Sequence, residues 1–228
     1  HCNEKGDIRV FGRSLEETSQ KYPDVVSYVK SAKKGKQESF ILDAEVVAYD
    51  RENLELLPFQ TLQHRSKKGT ETKKGKGIQC ETCIIAFDLL YLGGISLMEN
   101  EYYIRKEKLL TEFTPQEGKF QFAKSTHREE LGVNLEKEIY TLMRAAVQDK
   151  CEGVMIKITC GPESRYEPAK RSQSWIKLKK DYVDGEVDTF DLVPIAGYFG
   201  KGQRSGRFGA YLLACYNPVD ATFSTVTK

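Results

Sequence analysis

The residues best suited to chemistry fall in three short runs. In FILDAEVVAY, Phe40–Tyr49, Asp43 and Glu45 lie two apart in a strongly apolar, β-rich stretch. Side chains alternate along a strand, so the two carboxylates share a face. Placing them beside Leu42, Val46 and Val47 is costly unless a cation, a metal or a donor network meets them. A solvent-facing strand end or a structural salt bridge fits the pattern equally well. In WIKLKK, Lys177 and Lys179 share one face with Trp175, while Ile176 and Leu178 are expected to point into a core. Adjacent ammonium groups repel, and either a polyphosphate or a neighbouring acidic strand relieves that; a solvated lysine stripe is the plain alternative. In CEGVMIK, Glu152 precedes Gly153 at the mouth of a short apolar strand that ends near Lys157. Glycine there permits close approach of a ligand or another backbone, and a carboxylate at a strand mouth suits magnesium, which takes one or two carboxylates plus phosphate oxygens. A turn glutamate paired with a lysine is the bland equivalent. Arg13, Lys21, Lys201, Arg204 and Arg207 add basic groups near glycines, as phosphate contacts to nucleic acid require, although solubility alone accounts for them too.

These runs need a scaffold. A strand is expected over Ile8–Phe11, and a helix from Asp24, with Asp24 as N-cap after Pro23. A second apolar run, Thr82–Leu92, reads as a strand entering a turn at Gly93 and Gly94, followed by a charged helix over Glu101–Phe113. Leu135, Ile139, Leu142, Met143 and Ala146 recur at helical spacing, which predicts an amphipathic helix over Leu135–Val147 with those residues as core. Further strands are expected at Val154–Ile158 and Trp175–Leu178. The lysine- and glycine-rich stretch Arg65–Gly77 reads as a mobile basic loop. Past Tyr182, two β-rich runs flank the loop Gly200–Gly206, as in a small β-barrel, with a domain boundary near Tyr182–Glu186.

The bulk composition sets few limits. A chain of 228 residues with 39% hydrophobic residues can bury one sizeable core or two modest ones. Its 35 basic and 33 acidic residues nearly cancel, so any electrostatic footprint must come from local clustering. No stretch approaches the roughly 20 apolar residues of a membrane span, so no membrane partner is expected. Reduced thiols are expected for the six cysteines. Cys80 and Cys83 form a C-x-x-C pair, but no second half-site at workable spacing follows, and zinc is not expected.

Taken in order, FGRSLEETSQKYPD, FILDAEVVAYD, AFDLLYLGG, CEGVMIK and WIKLKKDY resemble motifs Ia, III, IIIa, IV and V of the covalent nucleotidyltransferases. The stretch SRYEPAKRSQSWIKLKKDYVDG and the following GYFGKGQRSGRFGAYLLACY are similar to eukaryotic ATP-dependent DNA ligases of the DNA ligase I type. The resemblance implies an α+β architecture: an ATP-grasp-like nucleotidyltransferase domain with antiparallel sheets over residues 1–182, then the start of an OB-fold barrel over 183–228. It implies ATP as AMP donor, magnesium, and nicked duplex DNA as substrate. Carried over by position, Glu45 contacts the ribose or the metal, Phe87 stacks on adenine, and Glu152 helps hold magnesium. Lys177 and Lys179 neutralise the α-phosphate, Lys157 joins the nucleotide contacts, and Arg13 reaches a phosphate of the nucleotide or nick. Lys201, Arg204 and Arg207 contact DNA. Asp43 is left as structural.

The family's Lys-x-Asp-Gly motif, which holds the nucleophile, does not occur in the chain and is expected upstream of His1; the fragment itself is then expected to be inactive. The resemblance further implies a nuclear monomer, with contact to a sliding clamp through absent N-terminal regions. Two alternatives remain at this point: a truncated, non-catalytic nucleic-acid-binding relative, and an RNA ligase or capping nucleotidyltransferase.

Overall fold

The computed structural model describes residues 1–35, 39–58, 60–63, 80–130, 134–168, 173–179, 191–200 and 204–228. The basic loop Arg65–Gly77, the boundary near Tyr182–Glu186 and Lys201 lie outside them. The chain divides into two compact units, His1–Lys180 and Asp181–Lys228.

In the first unit, the two longest apolar runs become the two longest strands, β1 (Phe40–Asp50) and β3 (Thr82–Leu92), paired antiparallel. Short strands β2 (Glu55–Leu56) and β4 (Ile95–Ser96) extend the sheet in the order β2-β1-β3-β4, and β5 (Phe120–Phe122) joins β3 in parallel. The β1–β3 ladder slips twice, between Ile41 and Leu42 and between Asp43 and Ala44. Leu90 and Phe87 therefore have no register partner on β1. A bulge bends a strand and re-aims the local side chain, and here that side chain is Phe87.

Helix α1 (Pro23–Ala32) begins one residue earlier than expected. Pro23 fills the first helical position, where its fixed φ suits the turn and its missing N–H costs nothing. Tyr22 is the N-cap, and Asp24 instead accepts a buried hydrogen bond from Thr82 Oγ1 at 2.6 Å, tying the helix to β3. The short helix α2 (Gln60–Gln63) places Leu62 against Ala48. Helix α3 (Tyr102–Glu112) lies where the charged helix was expected and packs on β3. Between α1, the sheet and α3 lies the core of Val25, Val29, Phe40, Ile84, Leu89, Leu109, Phe113 and Phe120. Phe113 stacks on Phe120 at 5.5 Å and meets Phe40 edge-on at 5.2 Å.

Helix α4 (Leu135–Gln148) is capped by Asn134, whose side chain accepts from the Lys137 amide. It packs against a hairpin of β6 (Gly153–Lys157) and β7 (Trp175–Lys179). The expectation that its whole apolar stripe is core is corrected: Met143 is buried, while Leu135, Ile139, Leu142 and Ala146 are half-buried. A two-stranded hairpin offers too little surface to cover a full helix face. Ile176, expected in a core, is likewise 55% exposed. Ile8–Phe11 does not form a strand either; Ile8 and Phe11 make only isolated bridges, to Cys2 and Glu17.

One buried ion pair joins these parts. Arg105 on α3 and Asp88 on β3 are both fully buried and meet through two parallel hydrogen bonds of 2.8 and 2.9 Å. Arg105 Nη1 also donates to the carbonyls of Asn100 and Ser164, at 2.6 and 3.1 Å.

The second unit is a meander of β8 (Val193–Phe199), β9 (Phe208–Asn217) and β10 (Thr222–Thr227), in the order β10-β9-β8. Among the described residues these three strands form an open sheet, without closure into a barrel.

Replacing Arg105 by methionine strands the Asp88 carboxylate in the core. Urea denaturation should show a loss of about 3–5 kcal/mol, whereas a change below about 1 kcal/mol would mean that the pair contributes little.

Candidate functional site

The β6–β7 register explains which side chains share a face. Lys157 pairs with Trp175, Met155 with Lys177, and Gly153 with Lys179. Trp175, Lys177 and Lys179 therefore stand in line, as alternation predicts. Gly153 is required by its own partner strand: at φ +155°, a Cβ there would lie 2.1 Å from the Leu178 carbonyl oxygen. The close approach is thus made by a backbone, not by a ligand.

Glu152 is exposed and forms an ion pair with Lys179 at 3.0 Å. The hydrogen bond from Lys179 holds its carboxyl below the usual range. Glu45, on β1, is pushed the other way. Burial raises it first, then the charge of Asp43, with Glu152 adding to the rise and Lys177 opposing it. The Glu45 carboxyl thus senses the charges of Glu152 and Lys177, although β1 and the β6–β7 hairpin belong to different sheets. Mutual repulsion between carboxylates is what a divalent cation relieves, and two carboxylates with open positions for phosphate oxygens suit magnesium.

Lys157 occupies the centre of an aromatic cage. Its Nζ stands 3.8 Å from the centroid of Trp175, 4.5 Å from Tyr102 and 4.8 Å from Phe87. Each ring presents its negative face to the ammonium. Burial nonetheless lowers the Lys157 pKa to about 8, with Asp88 and Asp43 acting against the fall. Lys157 also donates to the Tyr102 hydroxyl at 3.4 Å, and that hydroxyl donates to the Phe87 carbonyl at 3.2 Å. The bulged residue is thereby held by its backbone on one side and by a cation on its ring.

Asp43, left as structural, has a defined partner. It accepts a hydrogen bond from Tyr166 at 2.9 Å, and burial keeps its carboxyl above the usual range despite that bond. Tyr166 packs edge-on against Trp175 at 5.8 Å, and the Arg105 guanidinium stands over the Tyr166 and Tyr102 rings at 5.8 and 5.5 Å.

Arg13 is exposed in the tight loop bridged by Phe11 and Glu17, and among the described residues it makes no contact with the other candidates. In the second unit, Arg204 and Arg207 are exposed at the β8–β9 turn, which closes through Arg207 N to Arg204 O at 3.2 Å and Gly200 N to Arg207 O at 2.8 Å. Sequence reasoning missed Tyr102, Arg105 and Tyr166. Only Arg105 carried a local signal, a basic residue one helical turn from Leu109 on the face that packs against β3.

Lys157 and the sole tryptophan offer a direct check on this geometry. The emission of Trp175 should titrate with a midpoint near 8 as Lys157 loses its proton, and the transition should vanish in Lys157→Met. A flat profile between neutral pH and the ordinary lysine range would place the amine outside the cage.

The family model for the ATP dependent DNA ligase domain matches residues 1–179. Over 228 residues the chain is 43% identical to DNA ligase 1 of Arabidopsis thaliana and 41% identical to DNA ligase 1 of Schizosaccharomyces pombe. Those alignments cover 100% of this chain but 28% and 29% of the relatives. A mycobacterial DNA ligase D solved with ATP and MES shares the fold, with a TM-score of 0.55 at 21% identity over 99% of this chain and 61% of that one. Because the family match runs through every strand that carries a candidate carboxylate or lysine of the first unit, the chain belongs to the ATP-dependent DNA ligase family.

Proposed function

We propose that this chain supplies the nucleotide pocket of an enzyme that seals nicks in duplex DNA, using ATP. The observation that carries the reading is the convergence within one unit of an aromatic platform at Phe87, a lysine pair at Lys177 and Lys179, and the carboxylates Glu45 and Glu152. A nucleoside triphosphate has a flat apolar base, a diol and a polyphosphate, and these groups match the three parts.

In this reading adenine stacks on Phe87 and the ribose lies toward Glu45. The α-phosphate sits between Lys177 and Lys179, whose charges offset the charge that grows in an in-line displacement. Entry of a phosphate gives Lys179 a second anionic partner besides Glu152. Glu45 and Glu152 hold Mg2+, which when bound neutralises phosphate oxygens. Three phosphoryl transfers follow in the proposed sequence: a lysine of the enzyme takes AMP from ATP and displaces pyrophosphate, the 5′-phosphate at the nick takes AMP and displaces that lysine, and the 3′-hydroxyl attacks the 5′-phosphorus with release of AMP. Positioning and charge neutralisation supply the catalysis. The chain contains no Lys-x-Asp-Gly sequence, so the reading assigns the nucleophile outside residues 1–228 and makes these residues alone incapable of adenylation.

Residues 1–182 would then be the adenylation domain and 183–228 the opening strands of an OB-fold. Arg13 would meet a phosphate of the nucleotide or nick, and Lys201, Arg204 and Arg207 would lie along the DNA backbone. Nuclear location, a monomeric state and contact with a sliding clamp belong to the same proposal. They rest on the similarity to eukaryotic ligases.

In the ligase that contains this segment, Lys177→Ala should lower the rate of enzyme-adenylate formation by about a hundredfold or more, measured with α-labelled ATP; an undiminished rate would remove Lys177 from the α-phosphate. Glu152→Ala should depress magnesium-dependent sealing of a nicked duplex to a similar degree, on the order of a hundredfold, and full activity would remove Glu152 from the metal site. Offered GTP and a diphosphate RNA end instead of ATP and nicked DNA, the enzyme should give no product. Product there would favour the capping reading.

A further inference from the structure

The two halves of the proposed pocket belong to different sheets. Phe87 and Glu45 lie on the β1–β3 pair, and Lys177 and Lys179 lie on the β6–β7 hairpin. A nucleotide must touch both, so its affinity depends on the spacing between them. The connection from β6 to β7 sets that spacing. Its backbone is fixed on the N-terminal side of α3: the Tyr103 amide donates to the Thr159 carbonyl at 3.1 Å, the Gly161 amide to Glu101 Oε1 at 2.9 Å, and the Tyr166 amide to the Met98 carbonyl at 2.9 Å. From that anchor the Tyr166 side chain crosses to Asp43 on β1, 123 residues away in sequence, beside the bulge that releases Phe87. Its ring then meets the edge of Trp175, the first residue of the strand that carries both lysines.

Resting on the function proposed above, we infer that Tyr166 is a positioning residue for the nucleotide: its phenol, hydrogen-bonded to Asp43 and packed on Trp175, fixes the distance between Phe87 under the base and the lysines at the phosphate. Tyr166 touches neither ligand group in this arrangement. Its contribution is to make two weak contacts act as one, because the second forms at no further orientational cost once the first is made. A loosened strap leaves each half-site intact and lets the halves drift apart. The signature is a selective loss for ligands that span both.

Trp175 allows the test by fluorescence titration of the chain with three probes: adenosine, inorganic pyrophosphate, and AMP, which combines a base with a phosphate. In Tyr166→Phe, AMP affinity should fall about five- to tenfold, as expected for one hydrogen bond, while adenosine and pyrophosphate stay within about twofold of wild type. Asp43→Ala should reproduce the AMP loss, and the double variant should add nothing to it. Equal weakening for all three probes would mean that Tyr166 only supports the fold, and would overturn the inference. So would unchanged AMP affinity. If the wild-type chain responds to none of the probes, the nucleotide reading itself fails and takes the inference with it. If the wild type binds AMP but Tyr166→Phe shows no selective loss, only the strap is wrong.

Discussion

A fully buried arginine and aspartate stand at the centre of the first unit, and most of the candidate site is arranged around them. Arg105 and Asp88 satisfy one another through a bidentate contact, and the spare donors of the guanidinium reach the carbonyls of Asn100 and Ser164. An ion pair taken wholly out of water gives little net stability over a well-packed apolar pair, because desolvation offsets much of the attraction. What it gives is directionality. The guanidinium accepts partners only along its N–H vectors, so β3, the turn before α3 and the 162–164 turn can meet in one arrangement. Tyr102 and Tyr166 lie across the two ring contacts of the same group, and Lys157 and Trp175 follow from them.

Charge is distributed unevenly around this centre. The cage holds a lysine that burial works to neutralise, while the rim holds Glu152 and Lys179 in an exposed pair. Exposed pairs of that kind are worth little and rearrange readily. The interior is therefore fixed and the rim exchangeable, as is useful where a polyanion must enter and leave. The raised Asp43 and Glu45 carboxyls fit the same picture: burial lifts both, and a nearby carboxylate, Asp88 for Asp43 and Asp43 for Glu45, lifts each further.

Much of this was legible in the sequence, and what escaped had a common cause. The boundaries of β1, β3 and α4 follow from alternation and helical period, which burial of one face imposes along a continuous stretch. Motif order pointed to Glu45, Phe87 and the lysine pair. Periodicity cannot report how much of a face is covered, so the half-exposed stripe of α4 and the exposed Ile176 were misjudged. Arg105 escaped because charged residues are rarely fully buried, and composition alone places them outside. Tyr166 and its bond to Asp43 escaped because no local pattern announces a contact across 123 residues. The expected strand at Ile8–Phe11 failed for lack of a partner, since an apolar run becomes a strand only where another edge can pair with it.

The two slips in the β1–β3 ladder bear on how the protein folds. Long antiparallel strands rich in Val, Ile and Leu can pair in neighbouring registers, and an offset by one residue would turn Asp88 outward and its apolar neighbours into water. Leu90 and Phe87 break the uniformity of β3 at two points, so that only one alignment closes the hydrogen bonds on both sides of each bulge. The irregularity that turns Phe87 toward Lys157 thus also acts as a key against misfolding. A variant that smoothed it would trade a single native pairing for a family of competing ones.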